Sequence, residues 1–351
     1  MERSKQPPAA EPRRLAEDRK KGGLPRRDAL KSLIAGFTVA PLLTGKVLRA
    51  EQITLAGRGQ FRTGNTRDQL FDSDWHFHRG DVPDAESVEF DDNTWRRLDL
   101  PHDWSIDALP PFPQENGQCA IWGGIDVPLR IGPFDRYLSE GKRSTAWCVG
   151  GIGWYRKRFS ADEMRPGSHA EIVFEGVYMN SDVWLNGHHL GFHPYGYTSF
   201  AYDLTPYLNS QGENMMAVRV RNVGQNSRWY SGSGIYRHVW LSVTGPVRVP
   251  LWGVYVTTPE VSAQAASVKV TTKIENRENA AREVMVRARL LDSKGDIVGS
   301  HELSQRVDAG GLAEVEQTIS VSVPALWSFD APHLYRAEVK LVSGGKTLDS
   351  T

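Results

Sequence analysis

The stretch SDVWLNGHHLG, residues 181–191, has the pattern of a β-hairpin. A strand-like run leads into Asn186-Gly187, and this dipeptide favours the two-residue turns that join antiparallel strands. The residues after the turn return as a second strand. The centre of the chain is therefore predicted to be antiparallel β-structure.

Outward from this hairpin, strand patterns dominate and helical periodicity is almost absent. In AVRVRNV, residues 217–223, Val218 and Val220 fall on one face and Arg219 and Arg221 on the other. Pro206 bars the segment around it from a central strand. Residues 51–247 are rich in Trp and in Gly-containing loops, which favours a jelly-roll-like β-sandwich.

A change of texture near Gly245-Pro246 marks a second domain. SVKVTTKIE (267–275) and LYRAEVKL (334–341) alternate between apolar and polar residues, and a hairpin is predicted at residues 293–296. Short alternating strands at regular spacing are typical of an immunoglobulin-like sandwich. We therefore predict an all-β protein, in which a jelly-roll-like domain (51–247) precedes an immunoglobulin-like domain (248–351).

The first 50 residues form a predicted leader. Residues 1–25 are charged and Pro-rich, and we expect them to be disordered. Arg26 and Arg27 precede a weakly apolar run, residues 33–43, which is too short to span a bilayer. This arrangement predicts a twin-arginine export signal and a periplasmic or extracellular location. A disordered tail and a short core helix are the alternatives.

Composition excludes several classes of partner. The 42 Lys and Arg residues balance the 42 Asp and Glu residues, so no net charge attracts nucleic acid or an anionic membrane. Eleven Trp residues provide indoles that stack on sugar rings, with core burial as the alternative for each. Cys119 and Cys148 are too few for a disulfide scaffold or a four-Cys zinc site. They would form one disulfide in an exported chain, and free buried thiols are the alternative.

Catalytic and metal-binding patterns are weak in this sequence. Asp103, Glu175 and Asp182 are the carboxylates considered for glycoside hydrolysis, but we expect them to cap turns or pair with strand arginines. The histidines of the central hairpin lack a recognised ligand spacing. We therefore expect neither a metal nor another cofactor.

One loop has the composition of a sugar contact. SRWYSGSGIYR, residues 227–237, contains two Arg, one Trp, two Tyr and three Ser. Gly232 and Gly234 are predicted to form a bend, and residues 235–241 the strand that re-enters the sandwich. Planar rings and hydrogen-bonding groups at one place suit a flat, hydroxylated ligand.

Longer motifs in this sequence resemble glycoside hydrolase family 2, the β-galactosidase type. They are LPHDWSI (100–106), GWYRKRF (153–159), FEGVYMNSDVWLNGHHLGFHPYGYTSFAYDLTPYL (174–208) and SRWYSGSGIYRHVWL (227–241). The resemblance runs from about residue 66 to Thr351, while residues 105–150 look like an insertion onto which nothing is carried over. It implies a sugar-binding jelly roll and an immunoglobulin-like sandwich, followed by a (β/α)₈ barrel that carries both catalytic glutamates.

The resemblance also implies that parts of such an enzyme are missing. The sequence stops inside the second sandwich, so we expect its last strand and the whole barrel to be absent, and no catalytic residue is assigned. An open sheet edge would make the second domain marginally stable or prone to aggregation. We expect no glycosidase turnover by this chain alone.

The remaining role is binding. In an intact enzyme, Arg228, Trp229 and Tyr230 would lie at the rim of the active site and contact a β-galactoside-type carbohydrate, with framework packing as the alternative for Trp229 and Arg237. The barrel would be the partner, in cis or as a separate chain. A stand-alone carbohydrate-binding protein and one half of a split glycosidase are the alternative functions.

Overall fold

Strands and loops make up nearly all of the structure, and helix is scarce. The computed structural model describes residues 67–107, 119–122, 125–128, 130–161, 164–165 and 167–351. Two short 3₁₀ helices occur in these ranges, at Lys142–Thr145 and Thr205–Tyr207. None of the helices described has the length and hydropathy needed to cross a membrane. The predicted leader, with Arg26 and Arg27, lies outside the described residues.

The strands of the first half alternate with long loops. In chain order they are β1 (Asp68–Leu70), β2 (Trp75–Arg79), β3 (Arg96–Leu98), β4 (Cys119–Trp122), β5 (Ile125–Pro128), β6 (Arg130–Ile131), β7 (Phe134–Asp135), β8 (Gly151–Ser160), β9 (His169–Phe174), β10 (Ser181–Leu185), β11 (His188–His193), β12 (Phe200–Asp203), β13 (Glu213–Asn222) and β14 (Val239–Thr244).

Two antiparallel sheets form a sandwich in this half. Among the described residues, one sheet has the order β11-β10-β13-β8-β2-β3 and the other the order β1-β14-β9-β12. Side chains of both sheets, such as Phe159 on β8 and Phe174 on β9, meet in one buried cluster. Neighbouring strands are often distant in sequence, as expected for a jelly roll. The predicted β-sandwich is confirmed.

The central hairpin is confirmed as predicted. β10 and β11 pair antiparallel, and Leu185 lies opposite His188. Asn186 has φ 51° and Gly187 has φ 78°, the left-handed conformations that a type I′ turn requires. Val183 and Leu185 are fully buried on the inner face of the sheet. The turn and the two-residue period thus place this hairpin in register against the core.

A buried lysine ties β8 to the loop between β1 and β2. The Lys157 ammonium donates hydrogen bonds to the carbonyl oxygens of Phe71, at 3.1 Å, and Ser73. It also lies 4.1 Å from the centre of the Phe71 ring. Burial lowers the pKa of Lys157 to about 8, which nearby carboxylates only partly oppose.

The second half contains a further set of strands. They are β15 (Val247–Arg248), β16 (Val254–Val261), β17 (Ala265–Asn276), β18 (Arg282–Leu291), β19 (Ile297–Val307), β20 (Leu312–Ser322), β21 (Arg336–Ser343) and β22 (Lys346–Ser350).

These strands form a second sandwich with its own core. In the described chain, β17 pairs with β15, β16 and β20, while the other sheet has the order β19-β18-β21-β22. Val268, Val270, Thr272 and Ile274 point inward from β17, as their alternation predicts. The two facing antiparallel sheets confirm the immunoglobulin-like architecture.

One expectation about this sandwich needs correction. We expect from the sequence that the last strand is absent and that the sandwich has an exposed sheet edge. Instead, β22 pairs antiparallel with β21, and Thr351 and Val339 exchange two main-chain hydrogen bonds. Gly344 and Gly345, with φ 56° and 75°, reverse the chain in a tight turn. The sheet edge whose exposure led us to expect instability is therefore paired with β22.

Polar contacts join the two sandwiches. The buried Asp349 carboxylate on β22 accepts from the Arg67 guanidinium at 3.0 Å and from the Val249 amide at 2.8 Å. Arg248, on β15, donates to Glu171 of the first sandwich at 3.3 Å. Because these groups are largely removed from water, their pairing restrains the junction more than surface ion pairs would.

Candidate functional site

The loop between β13 and β14 displays the three residues selected from the sequence. Arg228, Trp229 and Tyr230 are all exposed, and the exposed fractions of Trp229 and Tyr230 are 67% and 54%. The Trp229 and Tyr230 rings lie 6.1 Å apart at an interplanar angle of 52°. Arg237, further along the loop, is also exposed and lies 3.4 Å from Glu175. The exposure of Trp229 favours a contact role over framework packing.

Asp103 fixes the bend that follows these side chains. Its Oδ1 accepts hydrogen bonds from the amides of Ser105, at 2.8 Å, and Ser233, at 2.7 Å. A Cβ on Gly232 would lie 2.4 Å from Asp103 Oδ2. Gly232 is therefore required by close packing against a carboxylate. Gly234, with φ 126°, has the conformational role predicted from the sequence.

A buried hydrogen-bond network holds the same bend from the other side. The Ser233 hydroxyl is 2.6 Å from that of Ser105 and accepts from Asn222 Nδ2 at 2.7 Å. Gly234 and Tyr178 exchange two main-chain hydrogen bonds of 2.9 and 3.0 Å. Buried hydrogen bonds restrict motion, so residues 228–230 project from a well-fixed base.

The strand after the bend begins later than the sequence indicates. We expect it at Ile235, whereas β14 begins at Val239. Ile235 is buried, but its carbonyl accepts from the His102 amide, at 2.8 Å, and not from a neighbouring strand. The Val239 amide donates to Asp72 Oδ1 at 2.9 Å. Contacts with Asp72 and with the loop that carries His102 thus replace sheet pairing over the first residues.

A polar chain lies beneath the segment that carries Asp103. The Arg96 guanidinium lies 2.7 Å from His102 Nε2 and 2.9 Å from Asp107 Oδ2. His102 Nε2 is also 3.1 Å from Asp107 Oδ2, and Nδ1 is 2.7 Å from the Tyr155 hydroxyl. Burial lowers the pKa of His102, in agreement with a neutral ring, although Asp107 opposes the shift. These linked polar side chains support the segment structurally.

The described part of residues 105–150 packs on the candidate loop. The Phe134 ring contacts Tyr230 edge-on, with ring centres 5.8 Å apart. The Cys148 thiol donates to the Ser231 carbonyl at 3.3 Å, and burial raises its pKa. Cys148 is a free cysteine here, while the side chain of Cys119 lies outside the described residues. The disulfide between them stays a prediction.

The three carboxylates considered for catalysis are engaged in structural contacts. Asp182 lies 3.3 Å from Arg219 and 3.1 Å from Arg221, on the neighbouring strand. Glu175 accepts from the Trp240 indole at 2.9 Å in addition to pairing with an arginine. Together with the amide contacts of Asp103, these partners match the roles expected from the sequence. They give no support to a catalytic pair among these three.

Two exposed tyrosines near the loop were not selected from the sequence. Tyr195 and Tyr197 lie between β11 and β12 and have exposed fractions of 55% and 57%. In the sequence they flank one glycine in HPYGYTSF, and this pattern was the signal that could have identified them.

Within the described residues, no group of three or more His, Cys, Asp or Glu side chains is arranged to hold a metal ion.

Comparison with known proteins agrees with this architecture. Residues 71–245 match the model described as glycosyl hydrolases family 2, sugar binding domain. Residues 250–351 match the model described as glycosyl hydrolases family 2. The boundary between the two matches falls at the junction of the two sandwiches.

Similar proteins are considerably longer. β-Galactosidase BoGH2A of Bacteroides ovatus is 43% identical over 280 residues, which cover 80% of this chain and 30% of that protein. A β-glucuronidase of Formosa agariphila is 26% identical, with 80% and 28% covered. A crystal structure of a family 2 member from Bacteroides cellulosilyticus has a TM-score of 0.72 at 37% identity, with 82% and 34% covered.

The chain thus spans about a third of the length of the relatives it matches. The matched residues coincide with the two sandwiches, and the candidate loop lies inside the sugar-binding match. Motif resemblance, fold and comparison agree. The chain belongs to glycosyl hydrolases family 2.

Proposed function

We propose that this chain is the non-catalytic N-terminal part of a β-galactosidase-type glycoside hydrolase and that its β13–β14 loop contacts the carbohydrate. The observation that carries the proposal is the exposure of Arg228, Trp229 and Tyr230 on a loop fixed by buried hydrogen bonds. The similarity to BoGH2A, named a β-galactosidase, supports the choice of sugar. Relatives named β-glucuronidase make uronides the second class to test.

The three side chains have complementary roles in this proposal. The Trp229 indole offers a flat apolar face to the C–H groups of a sugar ring. The Tyr230 phenol adds a second ring and a hydroxyl that both donates and accepts. The Arg228 guanidinium donates a planar set of hydrogen bonds to sugar hydroxyls or to a carboxylate at the catalytic centre.

Hydrolysis itself is assigned to another part of the enzyme. A glycosidase needs two carboxylates on opposite sides of the scissile bond, roughly 5–10 Å apart. Asp103, Glu175 and Asp182 are occupied by structural partners. We therefore propose that this chain alone is inactive. Its partner would be a catalytic barrel, joined in cis or supplied as a separate chain.

A stand-alone carbohydrate-binding protein is the alternative function. Binding without hydrolysis is common to both proposals, so the same experiment tests their shared claim.

The location is part of the proposal. The paired Arg26 and Arg27 and the short apolar run after them support export through the twin-arginine route. Replacing both with lysine should abolish accumulation outside the cytoplasm, as measured by cell fractionation. Unchanged export of the double variant would remove this part of the proposal.

The decisive experiment is a calorimetric titration of the chain with galactose, in parallel with an assay for hydrolysis of an aryl β-galactoside. We expect binding without turnover, and Trp229→Ala should weaken binding about two- to tenfold. Trp327→Ala removes an exposed Trp from the second sandwich and is the matched control. Equal binding by the unaltered chain and Trp229→Ala would overturn the role of the loop.

A further inference from the structure

A second exposed aromatic pair lies beside the candidate loop. Tyr195 and Tyr197 are both more than half exposed, and their ring centres are 5.7 Å apart at an interplanar angle of 67°. Neither belongs to the buried cluster of the sandwich. Two half-exposed phenols held close together offer more aromatic surface than the fold requires.

The backbone that carries this pair is tightly packed. A Cβ on Gly196, between the two tyrosines, would lie 2.2 Å from the Tyr178 ring. The Tyr236 hydroxyl donates to the Gly196 carbonyl at 2.8 Å. The Tyr197 ring also contacts the Tyr178 ring edge-on at 5.2 Å. The pair is therefore presented by a rigid turn, which reduces the entropy lost when a ligand binds.

The same contacts join the pair to the candidate loop. Tyr178 exchanges main-chain hydrogen bonds with Gly234, and Tyr236 follows Gly234 by two residues. Trp229 precedes Gly234 by five residues, so both aromatic surfaces are attached to the same bend. Asp103 and Asn222 hold this bend through hydrogen bonds to Ser233.

The chemistry of the pair suits a neutral polyhydroxylated ligand. A tyrosine with the ordinary pKa of about 10 is protonated at physiological pH, and burial, followed by the neighbouring Tyr178, raises the pKa of Tyr197 further. A neutral phenol provides a stacking face together with a donor and an acceptor. The nearby cation Arg237 is paired with Glu175, which leaves less positive charge to select an anion.

From this arrangement we infer that Tyr195 and Tyr197 form a second saccharide-contact site, which binds an additional sugar unit of an oligosaccharide whose first unit lies on Trp229. This inference rests on the proposed function of the β13–β14 loop. It predicts that the chain binds a β-linked galactotetraose more tightly than galactose, and that the difference depends on the two tyrosines.

The test is calorimetric titration of the full chain with galactose and with galactotetraose. Tyr195→Ala and Tyr197→Ala should each weaken tetraose binding about two- to tenfold and leave galactose binding unchanged. Tyr195→Phe and Tyr197→Phe, which keep the ring, should retain most of the affinity. Tyr207→Ala is the matched control, because Tyr207 is 41% exposed in the same domain and stacks on His188, away from this turn.

The outcomes separate this inference from the proposed function. If Trp229→Ala weakens binding of both sugars while the tyrosine variants bind the tetraose normally, only the second site is wrong. Equal loss of galactose and tetraose affinity in the tyrosine variants would also overturn it, because the two sites would then not be distinct. If Trp229→Ala has no effect on galactose binding, the proposed function of the loop fails first.

Discussion

Asp103 and Ser233 lie 130 residues apart in the sequence, and the Ser233 amide donates a 2.7 Å hydrogen bond to the Asp103 carboxylate. The same carboxylate oxygen accepts from the Ser105 amide. One side chain thus connects the LPHDWSI segment to the bend that follows Trp229. The bend of the candidate site is therefore held by a long-range contact in addition to its local sequence.

Removing that acceptor should loosen the loop. Asp103→Ala leaves two amide donors without their partner, which we expect to cost about 1–3 kcal/mol of unfolding free energy. Asp103→Asn keeps an oxygen acceptor and should lose less. Urea unfolding of the three proteins measures the difference. Equal destabilisation by Ala and Asn would show that the hydrogen bonds are not the cause.

Gly232 provides an independent check of the same packing. Gly232→Ala places a methyl group 2.4 Å from Asp103 Oδ2 and should cost about 1–3 kcal/mol. Gly245→Ala is the control, since the nearest atom to its new Cβ is 3.8 Å away. In the double variant with Asp103→Ala the clash disappears, so the two effects should not add. Strict additivity in thermal or urea unfolding would contradict this explanation.

Lys157 should give the folded chain a distinctive alkaline pH dependence. Its folded pKa is about 8, below the ordinary value of 10.5, so the unfolded chain binds more protons between these two pH values. The contribution of Lys157 to the unfolding free energy of the chain therefore rises as pH increases from 8 to 10.5, by at most about 3 kcal/mol.

Comparison with Lys157→Met isolates that contribution, because methionine does not titrate. We expect the stability of the unaltered chain, relative to Lys157→Met, to increase across this pH range in urea unfolding. Lys269→Met, which removes a partly exposed lysine paired with Glu316, is the control for loss of a positive charge. A relative stability that stays constant or falls between pH 8 and 10.5 would contradict the assignment.

The junction between the sandwiches should depend on Asp349. Asp349→Ala removes one carboxylate partner of the partly buried Arg67 guanidinium, which also contacts Asp68, and the acceptor of the Val249 amide, at an expected cost of about 1–3 kcal/mol. Asp349→Asn still accepts from Val249 and should be intermediate. Scanning calorimetry should show one unfolding transition for the unaltered chain and separated transitions for Asp349→Ala. Identical traces would indicate that the two sandwiches are not coupled through this residue.

Features set by local sequence were predictable. Asn186-Gly187 determined a tight turn because both residues adopt left-handed conformations easily, and the alternation from Val268 to Ile274 identified an inward face. The motifs quoted above identified the family. For Trp229 the sequence allowed two interpretations, framework packing and an exposed sugar contact, because indoles occur both in cores and at sugar contacts.

Features set by distant contacts were not predictable. Nothing near Gly232 in the sequence indicates that a carboxylate from residue 103 occupies the space beside it. The start of β14 was misplaced because loop contacts replace strand pairing at Ile235. The pairing of β22 was missed because a short polar run after two glycines resembles a tail unless its neighbour strand is known.

The most direct test of the central claim is the response of one indole to sugar. In a two-dimensional ¹H–¹⁵N NMR spectrum, the Trp229 indole N–H signal is assigned by its loss in Trp229→Ala and followed during galactose titration. We predict a saturable shift of this signal, while the Trp327 indole signal stays in place. A Trp229 signal that does not move at galactose concentrations that saturate the chain by calorimetry would contradict the account.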